Sequence, residues 1–466
     1  MTTHAGDAGP IQDAAPKMAS WRARFSWALF DWANQPYFTV ITTFIFAPYF
    51  TSVVVGDPVR GQALWGYTTA FAATLVALGA PFLGAVADIG GRRKPWLLVF
   101  QILLAFGCLL LWLARADTPQ TLPLVLFGLV LANVAAEYSI LFNNSLLPGL
   151  VPHDRMGRLS GFGWGMGYIG GLIALFAILI ISRPELVGIT PPDGQALLGL
   201  DRATHEAERI IGPTAALWLL LFVTPMFLFT PDRPGTGKNT LQAAREGFRQ
   251  VVRTVRELRQ HGNTLRFLIA YMLYYDGLNA VIGFGGIYAA GVFGWGTTEL
   301  GIFGIALNVV AIPSVMAAGW LDDKLGSKRT VQLAIVSVAL GTLGILSITA
   351  DSVLFGIGIT PKAAGAGAFS SAGEQVFFLC AILLGLGMGP MQAASRTMVA
   401  RLAPTGKVTE FYGIFSLSGR ATSFMAPLAI AIVTDIFANQ RVAAMVVLVF
   451  LMLGFWLLWQ VREPRN

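Results

Sequence analysis

Four ionisable residues lie inside long apolar stretches of the sequence: Asp31, Glu137, Asp276 and Arg420. At a rise of about 1.5 Å per residue, a helix counted from the nearest basic flank puts each of them near the middle of a membrane. Charged groups are costly at that depth, so each is a functional candidate. A desolvated carboxyl can load and release a proton or capture an ammonium group. The alternative is a polar contact that fixes helix packing.

Two asparagines accompany the acids at helical spacing. Asn34 and Asn279 follow Asp31 and Asp276 by one turn of a helix, so each pair shares a face. The amides can orient the acid or hydrogen-bond a bound solute.

Glu137 and Arg420 have three interpretations that the sequence leaves open. They can form a charge pair across a cavity, bind the two ends of a zwitterion, or make a permanent buried pair.

Aromatic residues near these depths can line a cavity for an apolar group, although interfacial belts and packing explain most membrane aromatics. The candidates are Tyr37, Trp164, Tyr168, Tyr271 and Tyr274. The stretch that holds Trp164 and Tyr168 also carries glycines at four-residue spacing, which permit close helix approach: Gly163, Gly167 and Gly171.

The stretches that hold these residues have the composition of membrane spans. The chain has 466 residues, 55% hydrophobic and 12% charged, whereas soluble chains carry about 25% charged residues. A span needs about 20 apolar residues. The sequence predicts an all-α membrane protein with spans near 27–50, 63–87, 95–115, 121–149, 161–182, 213–230, 265–293, 299–321, 329–350, 374–400, 412–435 and 440–461.

Basic residues fix the predicted orientation. Most of the 32 Lys and Arg residues lie in alternate loops, so the positive-inside rule places both termini in the cytoplasm. This distribution, despite a net charge of +7, argues against a nucleic-acid partner. We expect cytoplasmic tails at 1–20 and 462–466, six-helix bundles at 21–230 and 264–461, and a linker at 231–263 that holds an amphipathic surface helix, 241–260.

A short motif occurs twice, about half the chain apart. Gly84, Asp88 and Gly91 recur as Gly319, Asp323 and Gly326, each time in a basic loop between two spans. The duplication predicts two parallel repeats that face each other across a central cavity.

These two loops are predicted to form a cytoplasmic gate. Asp88 can accept from backbone amides at a neighbouring helix start or pair with an arginine, and Asp323 can do likewise. The alternative is that the basic residues only enforce topology. The predicted gate also includes Arg92, Arg93, Asn143, Asn144, Arg158, Lys324, Arg329 and Arg396.

The repeated loop resembles the signature loop of the major facilitator superfamily, with a departure at Ile89, where a basic residue is usual. A narrower resemblance, to the vacuole-effluxer-like branch, lies in Phe30–Asn34, Ala47–Phe50, Gly161–Tyr168, Tyr275–Gly277 and Phe415–Arg420. It implies a twelve-helix transporter of two pseudo-symmetric bundles; the best-known fungal relatives export amino acids from the vacuole.

Together these features predict a secondary active transporter that moves a small organic solute, such as an amino acid, by alternating access with proton coupling. The alternatives are a multidrug or lipid exporter, or a non-transporting membrane sensor. We expect a monomer in a bacterial inner membrane. With no His/Cys cluster or nucleophilic triad in the spans, we expect no enzyme activity, cofactor or metal.

Overall fold

A computed structural model describes residues 18–90, 92–151, 156–189, 195–232, 262–349, 351–360, 369–402, 414–415, 418–419 and 421–463, with 245, 249, 256 and 367. Within these ranges it describes side chains except at 80–82, 84–90, 145, 148, 156–158, 160–161, 316, 319–320, 323 and 400.

The described chain forms twelve main helices. They are α1 (Trp21–Val54), α2 (Pro58–Gly90), α3 (Lys94–Leu113), α4 (Leu122–Leu146), α5 (Met156–Ser182), α6 (Ile211–Phe229), α7 (Gly262–Phe293), α8 (Thr297–Leu325), α9 (Ser327–Leu346), α10 (Ala372–Leu402), α11 (Met425–Phe437) and α12 (Gln440–Trp459). A two-stranded antiparallel hairpin, β1 (Ser352–Val353) and β2 (Ile357–Gly358), follows α9.

Ten helices in the described part of the chain are long and apolar enough to cross a membrane. The other two are α2, with 33 residues, and α11, of which thirteen residues are described. The predicted all-α membrane fold is confirmed. The predicted linker helix lies outside the described residues apart from Arg245, Arg249 and Arg256, which are helical and exposed.

The helices pack as two sets. In the first half, α1 packs on α5 and α6, α3 on α4 and α6, and α2 on α4. In the second half, α7 packs on α12, α8 on α10, and α9 on α10 and α12. The halves meet where α1 packs on α7, α2 on α11 and α5 on α8, and we call the last two contacts seams.

Helix α1 changes geometry in its middle. It is α-helical to Pro36 and then π-helical over Tyr37–Phe44. Pro36 has no N–H to donate to the carbonyl of Trp32. That carbonyl instead accepts a hydrogen bond from the indole of Trp218 in α6, at 3.1 Å, so the packing of α6 stabilises the irregular helix.

One end of the bundle carries Met18 and Glu463, the first and last described residues, and we call it the terminal face; the opposite end is the distal face. At the terminal face, the carboxylate of Asp232 accepts from the backbone N–H groups of Arg93, at 3.0 Å, and Lys94, at 3.1 Å. The ammonium of Lys94 donates to the carbonyl of Phe227. An acid that follows α6 therefore caps the start of α3.

The second half repeats this arrangement. Glu463, which follows α12, accepts from the backbone N–H groups of Ser327, at 2.9 Å, and Lys328, at 3.0 Å. The ammonium of Lys328 donates to the carbonyls of Trp459 and Val461. The same contact at equivalent places supports the duplication that the sequence predicts.

Replacing Glu463 by alanine should destabilise the second half by about 1–2 kcal/mol, because the start of α9 loses its acceptor. The measurement is the midpoint of thermal unfolding in detergent. The control is Arg462→Ala, whose side chain is exposed. Equal midpoints for the two variants would show that the cap has no energetic importance.

Candidate functional site

The candidate site begins where α1 meets α5. A Cβ atom built on Gly163 would lie 2.6 Å from Oδ2 of Asp31, and one on Gly167 would lie 3.4 Å from its Cβ. The glycines therefore form a slot on α5 that accommodates the Asp31 side chain. The close helix approach predicted from their spacing is present.

Arg396 reaches this slot from the second half. Its guanidinium carbon lies 5.3 Å from the centre of the Trp164 ring, within the range of a cation–π contact. Its positive charge lies within electrostatic range of the Asp31 carboxyl and the Tyr168 hydroxyl. The rings of Trp164 and Tyr168 are 6.1 Å apart, and Trp164 is 40% exposed.

The sequence placed Arg396 in a gate at the cytoplasmic mouth; the structure places it beside Asp31. The reason is the length of α10, which runs to Leu402, so Arg396 lies about 9 Å along the helix from its end. An acid and two aromatic rings of the first half thus lie near a base of the second half, a combination of groups that suits a polar solute with an apolar part.

Gly163→Ala should lower transport by about tenfold or more, because the added methyl displaces the Asp31 carboxylate and binding groups act only in precise positions. The matched control is Gly165→Ala, because no atom lies within 4 Å of a Cβ added there. Initial rates of solute uptake in proteoliposomes measure the effect. Equal rates for the two variants would exclude a positional role of the slot.

Asp276 in α7 is a second buried acid. It is 1% exposed, and among the described residues neither carboxylate oxygen has a hydrogen-bond partner. The Thr422 hydroxyl, which faces it, is likewise buried without a hydrogen bond. Asn279, predicted to assist Asp276, is half-buried. A carboxyl group in such surroundings can hold a proton.

Asn34 does not share the surroundings of Asp31. Its Nδ2 donates to the carbonyl of Phe30 at 2.9 Å, and its Oδ1 accepts from Nε2 of Gln101 in α3 at 3.2 Å. The amide is buried and joins α1 to α3 within the first half. The described hydrogen bonds of Asn34 therefore do not involve Asp31, because the two side chains meet different helices; the role of Asn34 stays a prediction.

The predicted cavity tyrosines occupy different positions. Tyr274 is fully buried and shares a 2.6 Å hydrogen bond with Ser395 of α10, and the Tyr271 ring lies 4.1 Å from Phe415. Both pack inside the second half, so they do not line a cavity between the halves here.

Tyr37 borders a small enclosed cavity of about 10 Å³, with Asn133 of α4 on its wall. The half-buried Glu137, one turn further along α4, faces the Tyr37 hydroxyl. Arg420, the predicted partner of Glu137, lies outside the described residues.

The ion pairs described at the terminal face join residues that the predicted gate did not include. Arg401 of α10 pairs with Glu463 at 2.6 Å and with Asp322 at 3.5 Å. The sequence singled out Asp323, whose side chain is outside the described part. Asp232, Glu463, Asp322 and Arg401 were missed, although an acid just after the sixth and twelfth spans is itself a repeated signal.

The other predicted gate residues are less informative. Arg93 is buried, and the backbone carbonyl of Asn143 accepts a hydrogen bond from the Trp27 indole. Gly326 ends α8 at a φ of 86°. Four of the predicted gate residues are exposed: Arg92, Asn144, Lys324 and Arg329. Gly84 and Gly319 lie within α2 and α8. The side chains of Asp88 and Arg158, and all of Gly91, lie outside the described residues.

Two six-helix halves with charged groups between them define a membrane transporter of the major facilitator type. The structure is similar to that of a D-xylose–proton symporter, with a TM-score of 0.66 and 14% identity over 96% of this chain and 98% of the other. At this identity the likeness shows the fold alone.

The chain belongs to the vacuole effluxer Atg22-like family, whose model matches residues 51–466. It is 26% identical to the uncharacterized MFS-type transporter YxiO of Bacillus subtilis over 95% of both chains. It is also 23% identical to autophagy-related protein 22 of Cryptococcus neoformans, over 66% of this chain and 53% of the fungal one. The match thus spans about half of that fungal relative. Both the predicted superfamily and the predicted branch are confirmed.

Proposed function

We propose that the protein is a secondary active transporter that moves a small organic solute by alternating access and couples this movement to protons. The observation that carries the proposal is the meeting of Arg396 from the second half with Asp31 and Trp164 from the first. A solute bound there contacts both halves, so its binding can favour one arrangement of the halves over another.

The charges at the site favour a zwitterionic solute, and amino acids are the first class to test. The guanidinium of Arg396 suits a carboxylate, the Asp31 carboxylate suits an ammonium, and Trp164 and Tyr168 offer apolar surface. Asp276, buried without a hydrogen-bond partner, is our candidate for the proton carrier.

The experiment is a thermal-shift screen of the purified protein against amino acids, peptides, sugars and drugs. Each stabilising compound is then tested for counterflow in proteoliposomes. Stabilisation and counterflow by zwitterions support the proposal. Binding without counterflow would indicate a sensor, and stabilisation by sugars alone would overturn the zwitterion assignment.

A second candidate is export of hydrophobic drugs or lipids, which one surface feature favours. An open apolar groove of about 340 Å³ runs between α2 and α4, lined by Tyr67, Thr68, Phe71, Leu126, Phe127 and Val130. Efflux of lipophilic dyes that Phe71→Ala abolishes and Arg396→Lys leaves intact would favour this candidate.

We further propose that the transporter is a monomer of a bacterial inner membrane with its terminal face in the cytoplasm. The concentration of Lys and Arg in alternate loops supports that orientation. Reporter fusions at residue 57 and at the C-terminus test the orientation, since only the latter should be active as a cytoplasmic reporter.

A further inference from the structure

The distal face is held shut along both seams between the halves, and the two seams differ chemically. Across α2 and α11, the amide of Gln62 donates to the hydroxyl of Thr434 at 3.0 Å. The amide of Gln440 donates to the carbonyl of Pro58 at 2.8 Å. The exposed carboxylate of Asp435 in α11 also accepts from the hydroxyl of Tyr67 in α2, at 3.3 Å.

Above the seam between α5 and α8, a carboxylate of the first half accepts a hydrogen bond from the second half. Glu208, in the loop between α5 and α6, accepts a hydrogen bond from the hydroxyl of Thr297 at 2.6 Å. Thr297 is the first residue of α8, a helix of 29 residues. The carboxylate of the first half therefore lies at the positive end of a helix of the second half, where an anion is stabilised.

Groups of the first half hold Glu208 in place. Nδ1 of His205 lies 3.6 Å from its other carboxylate oxygen. The His205 ring lies 5.5 Å from the ring of Tyr49, whose hydroxyl donates to the carbonyl of Ala114 at 2.7 Å. Because its own half orients Glu208, which is only 17% exposed, little ordering is needed each time the contact with Thr297 forms.

Below this contact the seam is tightly packed. A Cβ atom on Gly304 of α8 would lie 2.7 Å from Leu175 of α5, and one on Gly301 would lie 3.0 Å from Leu179. Leu175 is 0% exposed. Solvent can therefore reach Leu175 only when the seam separates.

We propose that Glu208 is the latch of the distal face, a positioning residue whose contact with Thr297 sets how readily the α5–α8 seam opens. This inference rests on the proposed transport by alternating access, in which the distal face must open in each cycle. At the α2–α11 seam, the carboxylate of Asp435 accepts from the Tyr67 hydroxyl at 3.3 Å but is exposed, whereas the Glu208 side chain is only 17% exposed and lies at a helix start.

The test measures how fast a polar maleimide labels a Leu175→Cys reporter in the purified protein. The native thiols, Cys108 and Cys380, are buried, and the protein without the reporter gives the background. Glu208→Ala should raise the labelling rate by about tenfold or more, the factor that corresponds to one charge-assisted hydrogen bond. Thr297→Val should reproduce the effect.

The matched control is Glu206→Ala, two residues away, because the Glu206 carboxylate accepts from the backbone of Asp201 within its own loop. Glu208→Gln, which keeps an acceptor without the charge, should give an intermediate rate and remains informative if Glu208→Ala does not fold. Equal rates for the Glu206 and Glu208 variants, or no change with Thr297→Val, would overturn the latch. The labelling requires no transport, so its failure leaves the proposed solute and proton coupling untouched.

Discussion

Asp276→Asn is expected to abolish solute accumulation driven by a proton gradient while exchange of solute for solute continues. Asparagine has almost the same shape as aspartate but cannot carry a proton. The midpoint of thermal unfolding should stay the same or rise, because the substitution removes a buried acid that has no hydrogen-bond partner in the described part of the chain. Accumulation and exchange in proteoliposomes, together with an unfolding scan, measure both effects.

The stability measurement separates a proton carrier from a packing contact. If Asp276 fixes the packing of α7, its replacement should lower the unfolding midpoint, and gradient-driven accumulation should survive in the folded fraction. The control is Asp117→Asn in the loop between α3 and α4, an exposed acid that pairs with Arg115 of the same loop at 2.9 Å. Normal accumulation by Asp276→Asn would rule out the assignment.

Arg396→Lys is expected to weaken solute binding by about 10- to 100-fold although the positive charge remains. Lysine lacks the planar guanidinium that lies over Trp164 and can pair with a carboxylate through two hydrogen bonds. The loss corresponds to one or two charge-assisted hydrogen bonds. Asp31→Asn should abolish coupled flux through the same site.

Ligand-dependent thermal shifts give the affinity of each variant once the screen has supplied a solute. Arg329→Lys serves as the control, because Arg329 is exposed at the terminal face. Unchanged affinity in both Arg396→Lys and Asp31→Asn would place the solute elsewhere in the protein.

The positions of the spans and the duplication were predictable because they depend on composition and residue spacing, and both can be read from the sequence. The close approach of α1 and α5 also followed from spacing, since only glycine leaves room for Asp31 beside Gly163 and Gly167. Predicting these features requires little knowledge of contacts between residues that are far apart in the sequence.

The neighbours of each side chain were not predictable. Asp31 and Asn34 differ by about 60° around the helix axis, which is enough for one to meet α5 and the other α3. Asp322 and Asp323 differ by about 100°, and which of them meets Arg401 depends on how α8 is rotated against α10. Such rotations are set by the packing of the whole bundle.

One helix joins the centre of the protein to its terminal face. Arg396 and Arg401 both belong to α10, about 7.5 Å apart along its axis; the first lies over Trp164, and the second pairs with Glu463 and Asp322. If the proposed solute binds at Arg396 and shifts α10, the ion pairs at the end of this helix should be strained. By thermodynamic reciprocity, we then expect that weakening those pairs changes the affinity for the solute.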